Sequence, residues 1–247
     1  MAAERLKALA VAERQLARDR QVEVFAAVFA ALLATEVRAA NEALGDAFVA
    51  VLFDLWIDAF YPEHEQRMRR ALIEPVRGYG EEIAGYALDE IGSDAVAPVG
   101  AFSSEYTAGA ASRWTRSSIA QLRALAKEAT PGPLIAERLV DWSDGRALHA
   151  GAEEATRAAG AFTMLGYMAG GRTKMRWRAR GSSCPLCQRL NGRIVTIGEP
   201  FVDEGGKVEA EGEDGEALKF ETRTKIGHPP LHGAGKAGVC DCILEAA

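Results

Sequence analysis

The hydrophobic period of the chain changes once, at Arg172, and this change constrains the fold more than any other feature. Before it, apolar residues such as Phe25, Phe29 and Leu32 recur every three or four positions, which is typical of helices. After it, Lys or Arg occupies every second position as far as Arg180, which is typical of a strand. The pattern predicts an α+β protein, with a mainly helical N-terminal body and a small C-terminal β module.

Breaker residues predict where the helices of the N-terminal body begin and end. Pro62 is expected in the first turn of a helix, and Pro75 is expected to kink or restart that helix. Residues 92–103 contain Gly, Ser, Asp and Pro and are expected to form a loop. Further helices are predicted over residues 104–129 and from about residue 144 to 169.

The apolar spacing also predicts which side chains of the body are buried. Six large apolar side chains are expected in its core: Phe25, Phe29, Leu32, Leu52, Trp56 and Phe60. His64 and His149 fall in helical stretches and are expected at the surface or at helix caps, not as metal ligands. The first twenty residues contain few large apolar side chains and are a candidate arm that docks on a neighbouring protein.

All four cysteines and two of the four histidines lie between residues 184 and 242. Cys184 and Cys187 form a C-x-x-C motif, whose spacing lets two thiolates in a tight turn bind one ion at about 2.3 Å. The remaining ligands would come from the tail, where the candidates are His228, His232, Cys240 and Cys242. Zinc suits tetrahedral Cys₄ and Cys₃His ligand sets, so the sequence predicts a structural zinc ion that stabilises the β module.

Two questions about this site stay open. Both tail cysteines would share one face of an extended strand and could bind together, or His232 or His228 could replace one of them. The four thiols could also be buried without a metal, or Cys184 and Cys187 could be a redox pair. A redox pair of this kind sits between a strand and a helix, and no helical pattern follows Cys187.

Charge is segregated within the C-terminal region. Residues 171–193 contain seven Lys or Arg and no acid, whereas residues 198–221 contain nine acids and two lysines. Strands are also predicted at 193–197 and 218–222, with an acidic loop over 201–216. Met175 and Trp177 are expected to face inward. Five basic side chains are expected on the opposite, exposed face: Arg172, Lys174, Arg176, Arg178 and Arg180. Their expected anionic partner is the acidic segment, with another protein or DNA phosphates as alternatives.

The overall composition limits the classes of function. The net charge of −6 argues against a protein that covers nucleic acid or an anionic membrane over most of its surface. No secretory signal is evident, so a reducing cytoplasm is expected. The longest uncharged apolar run covers eleven residues, 24–34, and is too short to span a membrane. No Ser-His-Asp set, phosphate loop, dinucleotide motif or H-E-x-x-H motif is present, so no enzymatic activity is expected.

Residues 141–247 resemble the phage head-morphogenesis family, the Mu F-like minor head proteins. The resemblance lies in the order of short motifs: Glu153–Arg157 in a helix of small residues, a Gly pair, Trp177 in a strand, Cys184–Cys187, Leu190–Gly192, Pro200–Phe201, Pro229–His232 and Cys240–Cys242. Seven residues separate His232 from Cys240, where the family usually has two. Asp241 stands between the cysteines, where the family usually has Arg.

The resemblance implies a domain over residues 141–247 and a separate helical body over 1–140. It also implies a minor structural protein of a tailed-phage head, located in the virion and assembled in the host cytoplasm. Such proteins associate with the portal or the major capsid protein, and some contact packaged DNA, in head assembly or in DNA packaging and ejection. The alternatives are a zinc-stabilised nucleic-acid-binding module and a zinc-dependent hydrolase or nuclease that uses His228 or His232.

Overall fold

The computed structural model describes residues 2–45, 48–180, 184–212, 215–231 and 240–247. The helices are α1 Ala2–Leu44, α2 Ala50–Ile91, α3 Val99–Leu125, α4 Pro131–Asp141, α5 Ala147–Ala169 and the short α6 Pro185–Gln188, with a π-helical turn at Trp142–Arg146. The strands are β1 Lys174–Arg178, β2 Ile194–Thr196, β3 Lys207–Glu211, β4 Ala217–Glu221 and β5 Ile243–Ala246. The predicted α+β class, mainly helical with a small C-terminal β module, is confirmed.

The chain forms two compact units, each assembled from separate stretches of sequence. The first comprises Met1–Val22, Arg77–Gly100 and Ala152–Ala247, and the second comprises Glu23–Val76 and Ala101–Gly151. These units do not follow a division into residues 1–140 and 141–247, because α1 and α2 each contribute residues to both. None of the helices in the described ranges combines the length and the apolarity that a membrane span requires.

Helix α2 continues through both of its prolines. The predicted helix start at Pro62 is therefore wrong, and so is a restart at Pro75, since one helix covers Ala50–Ile91. A proline in a helix removes one backbone hydrogen bond. Buried side chains next to each proline compensate for this loss, because packing outweighs local propensity in most protein helices: Tyr61 and His64 flank the first proline, and Leu72 and Val76 flank the second.

The buried face of α2 in the second unit lies one position away from the predicted face. Phe53, Ile57 and Tyr61 are buried, whereas Leu52 is 60% exposed. Trp56 and Phe60 are only partly buried at the margin of this face. The prediction for Leu52 is wrong because residues 48–60 are apolar on nearly every side, so their periodicity does not select one face. In α1, the predictions for Phe25, Phe29 and Leu32 agree with the structure, since all three are buried.

His64 is buried, contrary to the expectation of a surface position, whereas His149 is exposed as expected. The His64 ring stacks on Phe60 with 4.9 Å between ring centroids. Its Nε2 lies 3.8 Å from the carboxylate of Glu36, which accepts a hydrogen bond of 2.6 Å from the Tyr61 hydroxyl. The His64 side chain therefore belongs to a buried polar cluster inside the second unit.

Residues 10–17 of α1 pack within the first unit, so the predicted arm over the first twenty residues is wrong for this stretch. Ala10, Arg14 and Ala17 are buried on one face of the helix, at the spacing of three and four residues that aligns side chains. The Arg14 guanidinium forms a buried ion pair with Glu90 of α2. The expectation of a free arm failed because small side chains and one arginine, not large apolar groups, form this packing face.

The β module contains a three-stranded antiparallel sheet, in the order β2-β1-β5, and a separate β3–β4 hairpin. The register of β1 with β5 pairs Trp177 with Leu244 and Arg178 with Ile243. The predicted loop over 201–216 is therefore partly wrong, because β3 lies within it and pairs with β4. Strand β5 was not predicted, yet it makes β1 the central strand of the sheet.

Candidate metal centre

The first two cysteines are positioned by the turn that follows β1. Cys184 is extended and caps α6, and Pro185 occupies the first helical position, where a missing N–H costs little. The backbone N–H of Cys187 donates a hydrogen bond of 3.4 Å to the Cys184 sulfur. This arrangement is the turn that the C-x-x-C spacing predicts, with both side chains directed into the core of the module.

The second pair of cysteines lies in the segment that leads into β5. Cys240 and Cys242 are both buried, and Cys242 directly precedes the strand. The backbone carbonyl of Cys240 accepts a hydrogen bond of 2.9 Å from the Thr156 hydroxyl in α5. Thr156 therefore holds the backbone beside a candidate ligand. This role could not be predicted from the sequence, because no local pattern links residues 84 positions apart.

The sulfur atoms of Cys187, Cys240 and Cys242 all lie within 4.8 Å of one another. The sulfur atoms of Cys187 and Cys240 are 3.7 Å apart. Two thiolates that bind one ion at about 2.3 Å in tetrahedral geometry lie roughly 3.8 Å apart. The three buried cysteines could therefore hold a metal ion with little rearrangement.

Cys184 lies beside this group of three. Its thiol shares a hydrogen bond with the thiol of Cys187, although its sulfur is not within 4.8 Å of all three other sulfur atoms. The four cysteines are free thiols and all are buried. The cluster thus contains both predicted pairs, with Cys187 at its centre.

Hydrogen bonds among the thiols and burial favour their neutral form. Hydrogen bonds with Cys184, Cys240 and Cys242, together with burial, raise the pKa of Cys187 above its usual range. A hydrogen bond with Cys187 lowers the pKa of Cys240, but a hydrogen bond with Cys242 and burial outweigh it and raise that pKa to about 12. The thiolate is the metal-binding form, so a bound cation would displace protons from these thiols.

The structure does not bring His228 into the thiol group. Its Nδ1 lies 2.7 Å from the carbonyl oxygen of Pro229, and its ring packs against Gly160 of α5. A Cβ atom at Gly160 would lie 2.8 Å from that nitrogen, so the absence of a side chain there makes room for the ring. The prediction of His228 as a ligand is therefore wrong for this conformation. His232 lies outside the described residues.

The strand that precedes the cluster has the predicted two faces. Met175 and Trp177 are fully buried, and the Trp177 ring packs edge-on against Phe201 with 5.2 Å between centroids. On the opposite face, Lys174 is exposed, whereas Arg176 and Arg178 are half-buried. Arg172, before the strand, is exposed, and Arg180, after it, is half-buried.

The acidic partner of the basic strand differs from the one expected. Arg178 pairs with Glu245 of β5 at 2.9 Å, because β5 lies beside β1 in the sheet. Two acids of the expected partner segment instead pair within their own hairpin. These pairs are Lys207–Glu221 and Lys219–Glu209, each with 3.6 Å between charged atoms. The expectation that the acidic segment neutralises the basic strand is therefore wrong for Arg178.

Comparison of the chain with protein-family models, with curated proteins and with solved structures finds no match.

Proposed function

We propose that Cys184, Cys187, Cys240 and Cys242 bind one structural zinc ion. The observation that carries this proposal is the 3.7 Å separation of the Cys187 and Cys240 sulfur atoms, which suits a shared mononuclear ion. No iron of a [2Fe–2S] or [4Fe–4S] cluster held by four cysteines binds three of them, so three cysteine sulfurs within 4.8 Å of one another favour a single ion over such a cluster. Thiolates favour zinc over the hard cations calcium and magnesium.

A set of four thiolates leaves no ligand position for a catalytic water. This argument favours a structural role over the hydrolase or nuclease alternative. The ion would link the turn after β1 to the segment that enters β5, and these two strands are neighbours in the sheet. Zinc would thus stabilise a small module whose strands have only three to five residues each.

We further propose that the protein is a minor structural component of a tailed-phage head, without enzymatic activity. The order of motifs in residues 141–247 supports this function. The buried cysteine cluster supports it as well, because it unites the C-x-x-C and C-x-C pieces of that order. In this proposal the zinc-stabilised module contributes to the surface that binds the partner, which is the portal or the inner capsid surface.

The test is co-expression of the full chain with the portal and major capsid proteins from the same genome. The expected result is co-purification with the portal or incorporation into heads in few copies. The variant Cys187→Ser should reduce this association, whereas Arg189→Ala, an exposed change two residues away, should not. Heads that assemble normally and never contain the chain would refute the proposed function.

The basic face of β1 favours contact with packaged DNA as a second candidate function. Lys174 is exposed, and Arg176 and Arg178 lie on the same face with Glu245. Trp177 is buried on the other side of the sheet, so this face would contact phosphates and would not stack on bases.

The salt dependence of duplex DNA binding tests this second candidate. Replacement of both Lys174 and Arg176 by Ala should reduce the slope of log affinity against log salt by about 2. Replacement of Lys207 and Lys219 by Ala, which removes two lysines from the hairpin, is the matched control and should leave the slope unchanged. Equal slopes for the unchanged protein and the β1 variant would rule out this contact.

A further inference from the structure

The Glu90 carboxylate of α2 accepts hydrogen bonds from three other elements of the first unit, α1, α5 and β5. Its Oε1 accepts a hydrogen bond of 3.0 Å from the backbone N–H of Ala246 in β5. Its Oε2 accepts hydrogen bonds from the Arg14 guanidinium of α1 and from the Tyr167 hydroxyl of α5. Glu90 and Arg14 are both almost completely buried.

The Arg14 guanidinium depends on Glu90 for a negatively charged partner. Its Nη1 donates hydrogen bonds to the Tyr167 hydroxyl at 3.1 Å and to the Thr163 hydroxyl at 3.3 Å, but both of these acceptors are neutral. Glu90 supplies the negative charge, and a buried cation without such a partner is strongly unfavourable. Arg14 is therefore stable in its buried position only while Glu90 keeps its present orientation.

Residues 5–22 of α1 bury few side chains completely. Among residues 5–22, the buried side chains with known placement are Arg14 and the small Ala10 and Ala17. Arg20 adds an exposed ion pair with Glu82, and exposed pairs contribute little. The buried Arg14–Glu90 pair therefore contributes more to the docking of this segment than the exposed pair does.

The orientation of Glu90 is in turn connected to the cysteine cluster. Cys242 directly precedes β5, and Ala246, the last residue of β5, donates to Glu90. Tyr167 adds a second connection, because its hydroxyl lies 3.5 Å from the carbonyl oxygen of Leu244 in the same strand. A metal ion that fixes Cys242 would therefore fix the strand that holds Glu90 in place.

We propose that metal binding at the cysteine cluster controls the docking of residues 2–22 of α1 through β5 and Glu90. This inference rests on the proposed zinc centre and adds a conformational consequence to it. With the metal bound, β5 is ordered and the buried pair holds the helix. Loss of the metal loosens β5, weakens the Arg14–Glu90 pair and releases the helical segment. Because coupling between two equilibria is reciprocal, a variant that undocks the segment also weakens metal binding.

Hydrogen–deuterium exchange of the full chain tests the first direction of this coupling. Exchange is compared between the zinc-loaded protein and the same protein after removal of zinc by a chelator. Amides of residues 2–22 should exchange about tenfold faster, within the range of typical coupling, once the zinc is removed. Amides of residues 101–125 in α3, which belong to the other unit, should change much less.

Zinc affinity, measured by competition with a chromogenic chelator, tests the reverse direction. Arg14→Met should weaken zinc binding by about fivefold or more. Arg20→Ala, which removes the exposed pair from the same helix, is the control and should bind zinc normally. If Arg14→Met does not fold, Tyr167→Phe removes only a hydroxyl from the network and should weaken zinc binding in the same direction.

The possible results separate the two proposals. A purified protein without metal that binds no added zinc would overturn the zinc centre and this coupling together. A protein that binds zinc, with identical exchange at residues 2–22 in both states, would overturn the coupling and leave the zinc centre intact. Equal zinc affinities for Arg14→Met and Arg20→Ala would show that the Arg14–Glu90 pair does not transmit the effect.

Discussion

The sulfur atoms of Cys187 and Cys240 lie 3.7 Å apart, although 53 positions separate the two residues in the chain. This contact joins the turn after β1 to the segment that enters β5, the strand beside β1 in the sheet. Both residues are buried among apolar side chains. A cation bound by four thiolates would stabilise this folded arrangement more than four neutral thiols do. The contact is the basis of the first prediction.

The purified protein should contain about one zinc ion per chain, and Cys187→Ser should lose it, because a hydroxyl is a poor zinc ligand. Inductively coupled plasma mass spectrometry measures the metal content. Loss of the ion should also lower the thermal midpoint, because metal binding is coupled to folding.

Arg189→Ala, an exposed change two residues from Cys187, is the control and should retain the metal. A metal-free preparation with a thermal midpoint that zinc does not raise would contradict the prediction.

The free energy of unfolding should depend on pH through His64. Burial lowers the pKa of His64 below its usual value of 6.5, and Arg67 and Arg146 lower it further, against the opposing effect of Glu36. The folded state thus keeps His64 neutral, while the unfolded state takes up a proton below about pH 6.5. Stability from this source is complete above pH 6.5 and falls as the pH decreases, by at most about 1.4 kcal/mol per pH unit.

Urea unfolding between pH 7.5 and 5.5 measures this slope of the unfolding free energy against pH. The slope is largest when the unfolded state binds about one proton more than the folded state. His64→Gln should flatten the dependence, and His149→Gln should not, because His149 is exposed. The comparison of the two variants cancels any loss of metal at acidic pH. Parallel curves for both variants would show that His64 does not cause the dependence.

Truncation to Ala at two nearby positions in α2 should change the free energy of unfolding by very different amounts. Ile57→Ala should cost about 2–5 kcal/mol, because Ile57 is buried and its loss leaves a cavity. Leu55→Ala should change stability by no more than about 0.5 kcal/mol, because Leu55 is 60% exposed. Chemical denaturation measures both values. A large loss for Leu55→Ala would mean that this side chain is covered in solution.

Replacement of two glycines of the first unit by Ala should change stability in opposite directions. A Cβ atom at Gly166 in α5 would lie 2.8 Å from the backbone oxygen of Ala84 in α2. Gly166→Ala should therefore destabilise the protein by about 1–3 kcal/mol, through overpacking. Gly85→Ala has open space around the new methyl group and should stabilise α2 by up to about 1 kcal/mol. Thermal denaturation of both variants checks the signs, and a stabilising Gly166→Ala would refute this close helix contact.

Periodicity predicted those parts of the fold in which one face of an element is clearly apolar. The predicted faces of β1 and the predicted turn at Cys184–Cys187 agree with the structure, because residues within each segment are sufficient to specify them. The buried face of α2 was predicted one position away, since residues 48–60 offer apolar side chains on nearly every side. Strand β5 has only four residues and no clear alternation, so only its pairing with β1 identifies it.

Long-range polar contacts could not be predicted from the sequence. Arg14 and Glu90 are 76 positions apart, and each occurs in a helical stretch in which charged residues are normally exposed. The spacing of the cysteines predicted a shared metal site, but it did not exclude His228. The missing information was the packing of the His228 ring against Gly160, which depends on tertiary structure.

The position of the β3–β4 hairpin has an evolutionary consequence. The hairpin lies between the two cysteine pairs, and its tip follows Glu211 and precedes Ala217. The entropy of closing a loop grows slowly with length, by about 0.6 kcal/mol per doubling, so insertions and deletions at this tip cost little. Homologous chains can therefore differ widely in the distance between the C-x-x-C and C-x-C motifs. The spacing within each motif, and the alignment of β1 with β5, would change far more slowly during divergence.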